Sequence, residues 1–200
     1  MMSLYTGQGE SSIDKTAHSF KRRSRLPKNQ SNIWQIKSGF ILSYTYLEDG
    51  TVVALGLWGP GDKIGTIFSK VEPYDMECLT DVELLIGIEN DENQLTETLF
   101  KHLQQAQELM IIRTHKKVEI ILFKLLVWLS KKFGSEVNDH NLSGSLIDMR
   151  LTHEDLAAIV GSTRVTITRV MGQLEQEGLI NRLSLNRIMV KEEETWYYEI

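Results

Sequence analysis

The chain has 200 residues, of which 42% are hydrophobic, and a formal net charge of −5 at pH 7. This length allows one large domain or two small ones, and the acidic balance argues against a protein that coats nucleic acid by bulk charge, although a specific reader with a local basic face stays open. The single cysteine, Cys78, excludes an intrachain disulfide framework and any all-cysteine metal or iron–sulfur site within one chain.

The start of the chain, residues 1–17, is polar and has no periodicity, so we expect a frayed or disordered segment. It lacks the apolar core of a secretory signal, and the most apolar run, residues 118–129, carries Glu119 and Lys124 and is too short to span a bilayer. We therefore expect a cytoplasmic protein with no membrane contact. A basic run follows the start and is expected to be solvated, with contact to phosphate as the alternative; it contains Lys21, Arg22, Arg23 and Arg25.

Between residues 33 and 88 apolar residues recur at every second position, in short stretches that predict half-buried antiparallel strands. Turns with glycine separate these stretches at residues 37–39, 48–50 and 59–62. Two further strands are predicted at residues 76–79 and 82–88. Short strands at close intervals with glycine turns predict a compact roll or barrel.

From Glu92 to about Phe133 the apolar spacing is helical, and a polar patch at residues 113–117 predicts a break between two helices. One small roll cannot cover a helix of this length, so part of its apolar stripe is expected to meet a second copy of the chain. Residues 134–144 are predicted to form a linker loop, and residues 146–149 a short strand. The stripe consists of Leu95, Leu99, Leu103, Ala106 and Met110.

Residues 151–178 predict a helix-turn-helix. Thr152 and Asp155 have the spacing of a capping box, Gly161 supplies a sharp exit, and Ser162 is expected to cap the second helix. The small Ala157 lets the two helices approach closely. The second helix then has one apolar face, formed by Ile167, Val170, Met171 and Leu174, and an opposite face formed by Arg164, Val165, Thr168, Arg169 and Gly172.

A helix that is seated by one apolar face and exposes arginine on the other suits insertion into a DNA major groove. The alternative is a surface helix hairpin in any α-rich protein, and the small residue, the glycine and the apolar residues at these offsets favour the DNA reader. After the second helix, two short apolar runs at residues 179–180 and 188–190 flank a polar turn. This pattern predicts a hairpin, the wing of a winged helix.

A roll, a long helix and a winged helix, in this order and size, resemble the CRP/FNR family of bacterial transcription regulators. The segment 161–169 is similar to the cyanobacterial nitrogen-control (NtcA-like) branch, whereas the roll supports the resemblance only by its glycine turns and residues 60–65. The implied fold class is α+β: a shortened N-terminal antiparallel β-roll of the cyclic-nucleotide-binding type, a long dimerisation helix and a C-terminal winged helix-turn-helix. We expect the first unit at residues 1–113 and the second at residues 114–200.

The resemblance implies a homodimer that binds palindromic double-stranded DNA and activates transcription through RNA polymerase. Arg164 and Arg169 would read base edges, and Ser162 with the helix amino end would anchor the DNA backbone. Val165 stands where many members have glutamate, and it would pack on a thymine methyl, which favours a half-site of the GTA type over the TGTGA type. Thr163, Thr166 and Thr168 would contact phosphates or thymine methyls, and Arg150, Arg182 and Arg187 are either phosphate contacts or merely solvated.

The ligand does not follow from the resemblance. Family members that bind cyclic nucleotides hold the ribose and phosphate with a Gly-Glu pair and an Arg-Ser/Thr element, but the chain has no arginine between Leu26 and Ile112. We therefore predict that it does not bind cyclic AMP, and the same absence counts against 2-oxoglutarate. A ligand-responsive regulator that senses another small molecule, such as 2-oxoglutarate, stays open as the alternative. No cofactor or metal is expected. Haem ligation by His102 or His115 is conceivable, but single histidines on helices are more often surface residues than ligands.

Two other classes of function are alternatives to the regulator. The carboxylates are scattered, Cys78 has no visible partner and no phosphate loop occurs, so no catalytic residues and no enzyme are expected. A protein-interaction role stays open, in which the winged helix serves assembly or the chain acts only as the partner of another regulator.

Overall fold

The computed structural model describes residues 17–28, 33–87, 92–139 and 142–191. Residues 1–16, Ile88 and residues 192–200 lie outside the described residues, and with them the segment expected to be frayed, apart from Ala17, and the last residue of the strand predicted at residues 82–88. Across the four described stretches, no helix is long and apolar enough to cross a membrane.

The N-terminal half is an antiparallel roll of seven strands: β1 (Ala17–Phe20), β2 (Ile33–Ser38), β3 (Ile41–Tyr46), β4 (Val52–Trp58), β5 (Lys63–Ile64), β6 (Asp75–Cys78) and β7 (Val82–Gly87). They form two sheets, ordered β1-β7-β2-β5 and β4-β3-β6. The predicted turns at Gly39, Gly50 and Gly61 are confirmed, since all three glycines have positive φ. Strand β1 was not predicted, because four residues that alternate only between exposed and half-buried carry too little pattern.

The roll is buried on two sides, which simple alternation does not predict. Ile41 of β3 lies in the core between the two sheets, together with Trp34 and Ile36. Leu42 and Tyr44 of the same strand belong instead to a second core that continues into the C-terminal half. The outer face of the β4-β3-β6 sheet is therefore covered by the helices that follow in the chain.

Two helices connect the halves: α1 (Glu92–Arg113) and α2 (Val118–Phe133). The predicted break at the polar patch is confirmed. Helix α1 lies on β4, where the Gln105 Oε1 atom accepts a hydrogen bond from the Leu57 amide at 2.6 Å. Helix α2 buries six apolar side chains and forms the floor of the C-terminal core.

The linker predicted at residues 134–144 is wrong, because most of this segment forms a hairpin of β8 (Ser135–Asp139) and β9 (Leu142–Ile147). Its strands pair through main-chain hydrogen bonds and need no apolar alternation. The short strand predicted at residues 146–149 is the end of β9. The predicted wing is confirmed: β10 (Ile180–Leu183) and β11 (Arg187–Val190) form a hairpin, and β11 joins β9 in a sheet ordered β10-β11-β9-β8.

Candidate nucleic-acid interface

The helix-turn-helix consists of α3 (His153–Val160) and α4 (Arg164–Gln176). The predicted capping box at the start of α3 is confirmed: the Thr152 side chain accepts a hydrogen bond from the Asp155 amide, and an Asp155 carboxylate oxygen accepts one from the Thr152 amide at 2.8 Å. Gly161 ends α3 in the left-handed conformation, with φ of 76°, as predicted. The entry and exit of α3 are therefore fixed by local contacts.

The predicted cap of the second helix is off by one residue. Thr163, not Ser162, caps α4, since its Oγ1 atom accepts a hydrogen bond from the Thr166 amide at 3.2 Å. The Ser162 amide instead donates to the Ala157 carbonyl, which also accepts from Gly161, so Ser162 belongs to the end of α3. Both residues are good caps, and sequence alone could not decide between them.

The two faces of α4 are as predicted. Ile167, Val170, Met171 and Leu174 are at most 2% exposed, and they seat the helix on the C-terminal core. On the opposite face, 79% of Val165 is accessible to solvent, and Arg164, Thr168 and Arg169 are also exposed. Among the described residues, no carboxylate pairs with Arg164 or Arg169. The outward face therefore presents two arginines and one apolar side chain without competing partners.

A hydrogen-bond chain fixes Thr168 in the middle of this face. The Thr168 hydroxyl donates to the Arg164 carbonyl at 2.9 Å, and the His153 Nδ1 atom lies 2.8 Å from the same hydroxyl oxygen. Because the hydroxyl proton is already used, Nδ1 acts as the donor to Thr168. Burial lowers the pKa of His153, and the positive charges of Arg182 and Arg164 lower it further.

Of the three flanking arginines, Arg182 and Arg187 have guanidinium groups that are bonded within the C-terminal half, whereas Arg150 is bonded only through its main chain among the described residues. The Arg182 Nε atom donates to Glu175 at 2.7 Å, with a second contact from Nη2, and these hydrogen bonds lower the pKa of the Glu175 carboxyl. Arg187 bonds to the carbonyl and hydroxyl of Ser184 within the wing. Arg150 has a positive φ of 54°, and its carbonyl accepts a hydrogen bond from Arg22.

Sequence patterns missed several residues near this face. Leu185 and Asn186 at the wing tip have positive φ, and Leu185 is 62% exposed. Asn186, Arg164 and His153 line a concavity of about 540 Å³ that also contacts Arg23 of the roll. The basic run is thus not simply solvated, contrary to the expectation, because Arg23 bonds to Asp155 of α3 and Arg22 bonds to the Arg150 carbonyl just before the helix-turn-helix. No local pattern points to this contact, since its residues lie more than 100 positions apart.

The predicted apolar stripe lies on the side of α1 that faces away from the roll. Leu99, Leu103 and Met110 are 48%, 53% and 62% exposed, Ala106 is exposed, and Leu95 is half-buried. The stripe is wider than predicted, because Phe100 and Ile111 are also exposed, at 66% and 62%. We refer to Leu99, Phe100, Leu103, Met110 and Ile111 as the α1 stripe.

His102, on the other side of α1, is not a surface histidine. Its ring stacks on Trp58 at a centroid distance of 4.1 Å and lies 4.6 Å from the ring of Phe68, and its Nε2 atom is 2.8 Å from the Lys63 carbonyl. Burial lowers the pKa of this imidazole. Within the described stretches, no group of three or more histidine, cysteine, aspartate or glutamate side chains could hold a metal ion.

The segment that holds the ligand in the cyclic-nucleotide-binding relatives forms an open cavity of about 690 Å³ here. Its wall contains Thr66, Ser69, Lys70 and Glu72, and Lys28, from the segment between β1 and β2, also lines it. Lys28 is already paired with Asp75 at 2.8 Å. This cavity has no arginine to bind a phosphate with two parallel hydrogen bonds.

An antiparallel roll, a long helix with an exposed apolar stripe and a winged helix-turn-helix with an arginine-bearing outer face together define a DNA-binding transcription regulator. Residues 122–195 match the Crp-like helix-turn-helix domain. The chain is 38% identical over 179 residues to the regulatory protein CysR of Synechococcus elongatus, which covers 88% of this chain and 84% of that protein. The chain belongs to the CRP/FNR family, whose members regulate transcription and are not enzymes.

Further comparisons agree with this assignment. The global nitrogen regulator of Nostoc sp. is 31% identical over 119 residues, which covers 54% of this chain and 52% of that protein. A solved CRP/FNR-family regulator from Thermus thermophilus has a TM-score of 0.66 and 26% identity, with 88% of this chain and 94% of that chain covered. The predicted resemblance to the family, including its nitrogen-control branch, is confirmed, and the likeness to CysR extends over more of the chain.

Proposed function

We propose that the chain binds palindromic double-stranded DNA as a homodimer, with α4 of each copy in the major groove. One observation carries this proposal: the outer face of α4 presents Arg164, Val165 and Arg169 to solvent, and no described carboxylate neutralises the two arginines. An unpaired arginine can donate two parallel hydrogen bonds to guanine O6 and N7. The resulting contacts specify bases rather than merely attract phosphate.

The remaining residues of the interface divide between positioning and readout. Val165 packs on a thymine methyl, and this favours a half-site of the GTA type. Thr163 and Thr166 lie at the start of α4 and Ser162 lies directly before it, where the free amides of the helix end bind phosphate. Thr168 is fixed by His153 and the Arg164 carbonyl, so it offers its methyl group and one oxygen lone pair to the DNA.

The flanking arginines contribute phosphate contacts of unequal strength. Arg150 and Arg187 lie beside α3 and on the wing, and each can turn its guanidinium towards a phosphate. Arg182 must share its guanidinium with Glu175, so we expect its contact with DNA to be the weakest.

The α1 stripe provides the dimer interface. A two-fold axis along α1 places the same apolar residues of both copies against each other, and it requires a palindromic site with half-sites about one helical turn apart. We further propose that residues 1–113 and 114–200 act as the dimerising unit and the DNA-binding unit, a division supported by the break between α1 and α2.

The roll does not bind cyclic AMP in this proposal. The cavity beside Thr66 and Lys70 lacks an arginine, and its nearby lysine, Lys28, is paired with Asp75. Calorimetry that showed micromolar affinity for cyclic AMP would contradict this part of the proposal. Transcription activation through contact with RNA polymerase is proposed from family membership alone.

Selection of binding sites from random DNA with the purified chain tests the function. We expect a palindrome, and Arg164→Ala should weaken binding to the selected site by about 1–3 kcal/mol and relax one base position in each half-site. Lys131→Ala at the end of α2 is the matched control, because it removes one exposed positive charge away from α4. If the chain formed no sequence-specific complex even at low salt, the role as an interaction partner would replace the proposal.

A further inference from the structure

Two arginines of the basic run reach from the roll to the helix-turn-helix. Arg23 donates to both carboxylate oxygens of Asp155 at 2.9 Å, and the same guanidinium bonds to Glu77 of β6 at 2.7 Å. Asp155 is the capping-box residue of α3 and is only 7% exposed. Arg23 therefore connects a roll strand directly to the carboxylate that fixes the start of α3.

Arg22 and Arg113 make the same kind of connection. Arg22 donates to the Leu79 carbonyl at 2.9 Å and to the Arg150 carbonyl at 3.2 Å, just before α3. Arg113, in the last turn of α1, donates to the Ala54 carbonyl of β4 and to the Ile159 carbonyl of α3, both at 2.7 Å. We call Arg22, Arg23 and Arg113 the arginine clamp, because each of them bonds the roll on one side and the α3 region on the other.

The clamp holds α3 near both of its ends. Arg22 and Arg23 bind around its start, and Arg113 binds the carbonyl of Ile159, one residue before its last position. The apolar contact between β4 and α3 buries surface but is not directional. Hydrogen bonds from a planar guanidinium are directional. Three guanidinium groups at separated points therefore fix the orientation of α3 relative to the roll as well as its distance.

Backbone geometry at the contact is consistent with a constrained position. Arg23 and Arg150 have φ of 67° and 54°, in the left-handed region that residues other than glycine rarely adopt. Such conformations persist where the surrounding contacts over-determine them. Here Lys21 and the Arg22 amide are both bonded to Asp81, at 3.0 Å and 2.9 Å, which fixes the turn that carries Arg23.

We propose that the arginine clamp positions α4 relative to the roll and thereby sets the spacing between half-sites that the dimer accepts. The proposal rests on the proposed function, since it requires a homodimer on a palindrome. The chain of contacts runs from the α1 stripe through β4 and the clamp to α3, and α3 carries α4. The three arginines are positioning residues and do not read bases.

The test uses the full chain and a set of DNA duplexes that carry two identical half-sites separated by spacers of increasing length, in steps of one base pair. The parent should prefer one spacer sharply over its neighbours. Arg23→Met, which keeps an unbranched apolar stem and removes the guanidinium fork, should reduce this preference by about fivefold or more. Its preference for the half-site sequence, measured by single-base changes at the best spacer, should be unchanged.

Arg25→Met is the matched control, because Arg25 belongs to the same basic run but its guanidinium bonds to the Tyr46 hydroxyl of the roll, at 3.2 Å, and to no described residue of the α3 region. Arg23→Lys should restore the spacer preference only in part, since an ammonium cannot bond both carboxylate oxygens in one plane. If Arg23→Met does not fold, Arg22→Met makes the same comparison, because only its bond to the Arg150 carbonyl leaves the roll.

Three results have separate meanings. A flattened spacer preference with an unchanged half-site sequence supports the clamp. A variant that keeps the sharp spacer preference of the parent, or that loses spacer and sequence preference together, overturns the clamp and leaves the proposed function standing. A parent that binds isolated half-sites and palindromes equally well refutes the dimeric function itself, and the clamp proposal falls with it.

Discussion

Replacing Leu103 and Met110 of the α1 stripe by glutamate should separate the dimer into folded monomers. Both side chains are already more than half exposed in the single chain, at 53% and 62%, so their removal leaves the core of the chain intact. In the dimer, the same positions would force four carboxylates into an apolar interface. Burying a charge without a partner is strongly unfavourable.

The size of the effect follows from the surface that remains to be buried. Complete burial of a leucine or methionine side chain contributes about 1.5–3 kcal/mol, so a side chain that is still 53–62% exposed can contribute about 0.8–1.9 kcal/mol on dimerisation. Four such side chains in the dimer contribute about 3–7 kcal/mol. The dissociation constant should therefore rise by about two to five orders of magnitude, before any repulsion between the carboxylates is added.

Sedimentation velocity over a range of protein concentrations measures this change, and circular dichroism checks that the helices persist. Lys101→Glu is the control, because it changes the charge of each chain by the same −2 but lies outside the α1 stripe, where Lys101 is exposed and paired with Glu97. The control should remain dimeric. If the double variant sedimented as the parent does at micromolar concentration, the α1 stripe would not be the dimer interface.

Three further predictions concern the helix-turn-helix and the roll. Gly161→Ala should lower the free energy of unfolding by about 1–2 kcal/mol, because the left-handed φ of 76° is unfavourable for alanine even though its Cβ atom would meet no neighbour. An unchanged denaturation midpoint would contradict the role of Gly161 at the end of α3. Burial lowers the pKa of His102, so the folded chain binds fewer protons than the unfolded chain, and its stability should fall as pH drops through about 6.5. In urea denaturation, His102→Phe should weaken this pH dependence of stability. An equal pH dependence in both proteins would refute the role of His102. Val165→Glu should shift the selected half-site towards cytosine at one position, because a carboxylate accepts a hydrogen bond from the cytosine amine. Stability should not change, since Val165 is 79% exposed. Selection of the parental site would argue against a contact between residue 165 and a base.

The parts of the fold that the sequence predicts are those fixed by neighbours along the chain. The capping box of Thr152 and Asp155, the left-handed Gly161 and the buried face of α4 all depend on residues within one or two helical turns. Their spacing is therefore visible without coordinates. The choice between Ser162 and Thr163 was missed because both side chains can cap a helix and only the backbone decides.

The parts that escaped prediction are those fixed across the fold. The β8 and β9 hairpin has no regular apolar alternation in its sequences SEVND and LSGSLI, and its pairing comes from main-chain groups that every sequence carries. The contacts of Arg22 and Arg23 join residues 128 and 132 positions apart, so no periodicity or spacing announces them. A run of like charges is usually solvated, and only the tertiary position of Asp155 changes that expectation for Arg23.

The distribution of arginine separates two ways in which a roll can influence a DNA reader. A roll that holds a phosphate with two parallel hydrogen bonds needs arginine within its own cavity, but the chain has none between Leu26 and Ile112. The arginines at the two edges of that interval, Arg22, Arg23 and Arg113, bond to the roll and the α3 region together. In the proposed arrangement, the roll would fix the position of α4 through the arginine clamp and so set which half-site spacing fits. The fraction of DNA sites occupied would then follow the amount of protein. Changes at Arg23 and changes in protein concentration should therefore affect different quantities, the spacer preference and the fraction of DNA bound.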